Sequence, residues 1–374
     1  MIKNKLIVLS FITIIVIVTA SIFANLRAPQ SEKEKLPFFP DLAEKIESVN
    51  YISIKGNTDS INLSRKNDIW GIDEFDSYPA LPDKVKSSVL GAADLKINAP
   101  KTALPRLYHR LGVEGPEVID TSSLLLTLSD SNKNKIIEVI VGKPRLSSSA
   151  KNASGLYVRR PSEETSYLVD GTLNISAIKT DWINRNLFDI PAEAVKSVSV
   201  VHADGDSFEL FKNEIGQEKF DMKNIPIDKE LTSELIINRF GTILQDLQIN
   251  GAKSQAMFLA PNSEIPVSEI NGNTKIQMNT FQGIIANITS FEYDDRYYAS
   301  FKFSYNEEIT KNYNQQNDED IQVSDIEIYT NKLNSDTTGW WFEIPEFKYD
   351  IIKRRSNTIT RDIQNSLLPK EKTE

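Results

Sequence analysis

The chain has 374 residues, a net charge of −9, two histidines and no cysteine. Disulfides, cysteine-anchored lipidation and thiolate metal sites are therefore excluded, and a transition-metal site would have to be rich in carboxylates. The acidic surface repels phosphate backbones, so a nucleic-acid partner is not expected.

Lys3 and Lys5 precede LIVLSFITIIVIVTASIFA, an uncharged stretch from Leu6 to Ala24. At about 1.5 Å per residue such a helix approaches the roughly 30 Å hydrocarbon thickness of a bilayer. The expectation is a single anchor over residues 1–24 in a bacterial inner membrane, with the body outside in the periplasm, because the lysines lie before the span. A cleaved signal peptide, with Val18 and Ala20 as the small-residue site, is the alternative. Residues 25–40, with APQSEKEKLPFFP, read as a polar tether. Asp41 and Glu44 match a capping box opening a brief helix with Leu42 and Ile46.

From Val49 to Ile97 the chain reads as two short alternating strands around a Gly/Asn/Asp turn, then a third strand closed by Trp70. A helix opening at Pro82-Asp83 follows, with Val85, Val89 and Ala92 on one face. Val195 to Ile249 repeats this order: VKSVSVVHADGDSFELF, EKFDM, then Pro226-Ile227-Asp228 leading a helix with Leu231, Leu235, Ile243 and Leu247. The spacing from Val49 to Asp83 nearly equals that from Val195 to Asp228, and each Asp is positioned to cap first-turn amides. The expected fold is α+β: two related units, 41–191 and 192–374, of mostly antiparallel strands plus a helix.

Between these repeats lie a short helix at Leu107–Leu111, a hairpin across Asp130–Asn134, the strand pair GLYVRR and SYLVDG, and the aromatic segment DWINRNLFDIP. After the second repeat come KIQMNTFQGIIANITSFEY and RYYASFKFSY as strands and a polar interval from Asn306 to Asp320. GWWFEIPEF then reads as a strand, and Tyr349 to Ile363 as a helix.

FFPDLAEKIESV, Trp70, YPALPDKV, KTALPRLYHRLGVEGP, GLYVRR with SYLV, and DWINRNLFDIP together resemble the bacterial family catalogued as domain of unknown function 4340. The resemblance runs from about Phe38 to Pro191 and more weakly through WWFEIPEFKYD. It implies a membrane-tethered envelope protein, encoded beside ABC-type permeases and gliding-motility-like auxiliary proteins, without established catalytic residues.

Catalytic motifs are absent or incomplete. Gly142-Lys143 lacks the earlier glycine and the following Ser or Thr of a P-loop, Ile137 and Pro144 standing there. Ser148 to Lys151 fits S-x-x-K in a Ser-rich loop without its partner motifs, and neither His109 nor His202 lies near a nucleophile elbow. Both histidines read as surface or turn residues. Asp318 to Asp320 lacks the ligand spacing of a calcium loop. No catalytic, cofactor or metal residue is assigned. Lys101, Thr102, Tyr108, Trp341, Phe347 and Arg354 are candidate partner contacts. The expected role is a non-catalytic accessory or scaffold of an ABC-type envelope transport system. A periplasmic module binding a glycan, lipid or peptide between the two units is the alternative, and an unrecognised enzyme the third reading.

Overall fold

The structure, a computed structural model, describes residues 19, 35–145, 155–258, 273–317 and 319–363. A short helix α1 (Leu42–Lys45) leads into a hairpin of β1 (Tyr51–Lys55) and β2 (Ser60–Lys66). Ile52 faces Leu63 and Ile54 faces Ile61, so the period-2 apolar residues of both strands enter the core together. Asn67 and Asp68 both take positive φ, the geometry of a tight two-residue turn whose twist suits a hairpin, and deliver β3 (Ile69–Ile72). β4 (Tyr78–Pro79), helix α2 (Pro82–Ala93) and β5 (Lys96–Pro100) follow, then helix α3 (Tyr108–Leu111), β6 (Leu124–Ser129), β7 (Lys135–Pro144), β8 (Leu156–Arg159) and β9 (Ser166–Asp170). They form a nine-stranded sheet in the order β4-β3-β2-β1-β6-β7-β8-β9-β5. Val85, Ser88, Val89 and Ala92 form the buried face of α2.

After β10 (Asn186–Phe188), a second sheet is built from β11 (Val195–Val201), β12 (Ser207–Phe211), β13 (Asp221–Met222), β16 (Gly251–Ser254), β17 (Thr274–Thr280), β18 (Ile284–Tyr293), β19 (Arg296–Tyr305) and β20 (Trp340–Glu343). Its order is β13-β12-β11-β17-β18-β19-β20-β16. The first sheet, leaving out its extra edge strand β4, has the same order position by position, with every neighbour pairing antiparallel in both. One difference stands out. β8 and β9 are joined by a short turn at 160–165, whereas β19 and β20 are joined through helices α6 (Glu307–Asn317) and α7 (Val323–Thr337).

The remaining elements brace this frame. β14 (Lys229–Leu231) pairs with the C-terminal β21 (Thr360–Asp362), and β10 with β15 (Leu247–Gln248). Helices α4 (Glu234–Asn238), α5 (Gln255–Phe258), α8 (Glu346–Ile352) and α9 (Ser356–Ile359) fill the connections. The main apolar core runs through both halves, with smaller clusters around Phe291 and Tyr108. Trp182 is fully buried at the junction, donating its indole N–H to Ser176 O at 2.9 Å while its own carbonyl accepts the Leu81 amide at 2.7 Å. Phe188 meets Phe301 and Phe303 edge to face at 5.0 and 5.2 Å, a geometry favoured by the ring quadrupoles.

The two sheets meet edge to edge. On the first-sheet side stand β4 and the turn at 73–76; on the other is β16. Asp76 accepts the outward amide of Ser254 at 3.0 Å and pairs with Lys253, whose ammonium also donates to Glu74 O at 3.3 Å. Tyr78 packs edge to face on Trp340 at 4.9 Å and on Phe342 at 5.9 Å. Gly251 favours the close approach here: a Cβ at this position would lie 3.0 Å from the Phe75 ring, which would have to shift by a few tenths of an ångström.

At the opposite edge the entering chain adds to β5. Ile97 N–H donates to Leu36 O and Phe38 N–H to Leu95 O, with Pro37 bridged to Lys96. Arg160 holds this segment by lying 4.0 Å over the Phe38 ring and donating to the Phe38 carbonyl.

Several sequence expectations are corrected. Asp41 stands at the N-cap of the expected short helix but makes no side-chain cap bond, the N-cap of α2 is Leu81 with Asp83 inside the helix, and Asp228 precedes a strand. The helix expected after Asp228 is only α4 and a 3-10 turn, leaving Leu235 80% exposed, because β14 takes the preceding residues for pairing with β21. The polar interval at 306–320 is mostly α6, and α7 follows it unforeseen. The single helix expected over 349–363 is instead α8, α9 and β21. The anchor expected at 6–24 lies, apart from Thr19, outside the described residues; among those described no helix is long and apolar enough to cross a membrane.

Replacing Trp182 with alanine empties a fully buried site and strands the Ser176 carbonyl. A loss of about 3–5 kcal/mol is expected, measured as a lower urea midpoint at unchanged m-value.

Candidate functional site

The seam between the sheets opens into a cleft of about 290 Å³. One wall is Tyr78 and the Pro79-Ala80-Leu81-Pro82 run that carries the chain from the edge strand into α2. Two backbone bonds fix this wall, from the Ala80 amide to Trp70 O and from the Leu81 amide to Trp182 O. The floor comes from Asn184, Asn186 and Leu187. The other wall comes from the end of α7, through Ser335 and Asp336, and from Trp340. Gly339, at φ +87°, turns the chain from that helix into β20 and so places Trp340 opposite Tyr78.

Burial, with the nearby Asp336 carboxylate adding to it, pushes the Tyr78 phenol up to about 12. It therefore stays protonated, able to donate a hydrogen bond, throughout the physiological range. The cleft thus combines two aromatic rings, two carboxamides, a hydroxyl, a neutral phenol and one carboxylate. Such a set is suited to stacking and hydrogen bonding, and among the described residues Asp336 is the one carboxylate in its lining.

A second pair of cavities lies beside β11 and α6. Among the described residues no group of three or more His, Cys, Asp or Glu is placed to hold a metal ion. His109 is exposed on α3. His202 is buried rather than at the surface as the sequence suggested: its ring nitrogens lie 2.9 Å from Thr274 Oγ1 and from the Arg354 carbonyl. It ties the β11–β12 turn to the C-terminal segment, where Arg355 pairs with Asp204 and Ser356 bonds to Asp206. Burial lowers the pKa of Lys348, whose ammonium donates to the carbonyls of Thr242 and Gln245 and closes the turn after α4.

The six candidate contact residues are distributed over both sheets. Lys101 and Thr102 continue the β5 edge beside Ser166, and Lys101 is exposed. Tyr108 is buried under Arg159, whose guanidinium lies 4.6 Å from its ring, and donates to Glu164 O. Trp341 is buried against Phe291 at 4.9 Å, so neither it nor Tyr108 offers a broad contact face. Phe347 is 55% exposed on α8, and Arg354 is half-buried just beyond it. The sequence reading missed Tyr78 and Trp340. The WW pair was visible, but which of the two faced the core was not.

The fold and clefts define an α+β protein of two edge-joined antiparallel sheets with ligand-sized concavities. The family described as Domain of unknown function (DUF4340) matches residues 70–265, just over half of the chain, and the protein belongs to that family. The match reaches beyond the stretch from Phe38 to Pro191 that carries the resemblance, into the second sheet. No curated protein and no solved structure matches the chain.

Asp336→Asn removes the negative charge that helps to hold the Tyr78 proton. The Tyr78 titration, followed by ultraviolet difference absorbance against a Tyr78→Phe control, is expected to move down from about 12 towards the ordinary value of 10.0. It stays above 10.0 because burial is the larger cause.

Proposed function

We propose that this chain is a non-catalytic binding protein of the bacterial envelope, built from two copies of one strand-rich unit and holding a glycan in the cleft between them. The observation that carries this reading is the cleft itself. Tyr78 and Trp340 present apolar ring surface, while Asn184, Asn186, Ser335 and Asp336 supply donors and acceptors suited to hydroxyl groups. The identical strand order of the two sheets supports duplication. The uncharged stretch from Leu6 to Ala24 supports a single-pass inner-membrane anchor with the body in the periplasm.

A second reading, an accessory or scaffold contacting ABC-type permease subunits, is favoured by Ile227 and Leu235, fully and 80% exposed on either side of β14. Covering each of these side chains with a partner surface would contribute roughly 1.5–3 kcal/mol. A mild-detergent pull-down from native membranes tests it: permease subunits accompany the wild type and are lost from an Ile227→Asp/Leu235→Asp variant.

For the cleft, the full chain in phospholipid nanodiscs is screened against neutral oligosaccharides, and hits are titrated calorimetrically. Trp340→Ala is expected to weaken binding by about ten-fold or more, since burying an aromatic face is worth roughly 1.5–3 kcal/mol. Absence of binding across the panel, or a Trp340→Ala affinity equal to wild type, would sink the glycan reading.

A further inference from the structure

Beside β11 an apolar chamber of about 270 Å³, lined by Ile190, Pro191, Ala194, Ile284 and Tyr329, adjoins a polar one of about 370 Å³. Ile215 and Phe281 belong to both linings, so the two form one groove whose chemistry changes along its length. The polar half is dominated by carboxamides, those of Asn213, Asn312, Gln316 and Asn317. Its charged groups, Lys196 and Glu214, are one of each sign, and Asp189 and Glu193 beside the apolar half are both acidic.

We propose that this groove binds a single-chain amphiphile, an alkyl tail carrying an uncharged hydroxyl- or amide-bearing head. The tail occupies the apolar chamber, where Ile215 and Tyr329 are 44% and 36% exposed without it. Together the two chambers fall within the roughly 300–1,000 Å³ of ligand sites. Carboxamides offer both donors and acceptors, which suits a head with hydroxyl or amide groups. An anionic head would face three carboxylates against one lysine, so it is disfavoured.

The polar half of the groove is walled by helices that have no counterpart between the matching strands of the first sheet. Ile309, Asn312, Gln316 and Asn317 come from α6 and Tyr329 from α7, the helices that lie between β19 and β20, where the first sheet has only the turn at 160–165. Gly283, at φ +100°, lets Thr310 of α6 donate to the Gln282 carbonyl at 2.8 Å and seats the helix on the β17–β18 turn. The helical pair thus completes a groove whose other walls come from 189–196, 213–215 and 280–284, and the groove shares no lining residue with the cleft at the seam.

The test uses the full chain in phospholipid nanodiscs and an octyl glucoside bearing a diazirine at the tail end. After illumination, peptide mass spectrometry is expected to place the label within 189–195, 281–284 or 329. Unlabelled alkyl glucosides are expected to compete, each added methylene from hexyl to octyl strengthening competition by roughly three- to four-fold. Ala194→Trp, which fills the tail chamber, removes the labelling. Gln316→Glu, on exposed helix surface and so harmless to folding, weakens competition several-fold by adding a fourth carboxylate and removing an amide donor. The proposal is overturned by label spread evenly over the surface, by labelling that survives Ala194→Trp, by competition unchanged in Gln316→Glu, or by alkyl sulfates or alkyltrimethylammonium ions competing as well as the glucosides.

Discussion

The arrangement of the molecule depends on how two sheet edges are closed against each other. An edge strand presents unpaired amides and carbonyls that recruit foreign strands unless they are covered. Here β16 turns the Ser254 amide outward, and the Asp76 carboxylate of the other sheet accepts it, with Lys253 balancing the charge. The contact is made by side chains and not by a continued ladder, so each sheet keeps its own register and twist while the edges stay joined. Gly251 lets the Phe75 ring approach the strand backbone. Tyr78, Trp340 and Phe342 then seal the joint with apolar contact. The cleft exists because this seal covers only part of the seam.

Within that frame, the largest departure from the shared strand plan after β17 is one connection. Lengthening a surface loop costs little entropy, each doubling adding only about 0.6 kcal/mol, so a helical pair can be accommodated between β19 and β20 without disturbing the strand order. The pair then contributes a wall to three concavities. Tyr329 lines the apolar chamber, Asn312 the polar chamber and Asp336 the cleft at the seam. α7 is fixed by Asn334, which exchanges two hydrogen bonds of 2.8 Å with the Phe303 backbone of β19. Its position is consequently tied to the sheet beneath, and so are the walls it supplies.

Much of the strand framework was legible because half-buried strands alternate. YISIK, SINL and VKSVSVV each carry the period of two, and their partners lie within one turn of chain. The helices between β19 and β20 escaped notice for a physical reason. α7 buries Ile326, Thr330, Leu333 and Thr337, a helical spacing in which two of four positions are threonine, so its buried stripe is half disguised as polar sequence. α6 buries only Thr310 and Tyr313. The clefts were illegible for another reason. Tyr78, Asn186, Asp336 and Trp340 are distant in sequence and meet only because edges of different sheets abut. Which residue of the WW pair lines the cleft is a question of strand parity, and a single-residue shift reverses it. The capping aspartates were misread because a Pro at the first helical position or a competing strand pairing defines the boundary without a side-chain cap.

The clamp of Arg160 over Phe38 also sets a lever. The chain enters the body along β5, the outermost strand on one side of a nine-stranded sheet whose other side is the seam. With strands about 4.8 Å apart, entry point and seam are separated by up to about 40 Å measured across the sheet. A hold applied to the entering segment thus bears on one margin of the molecule, and the clefts are carried at arm's length from it. A load along that segment is borne first by the aromatic-guanidinium clamp and by a few edge hydrogen bonds, well before it reaches the joint on which the seam cleft depends.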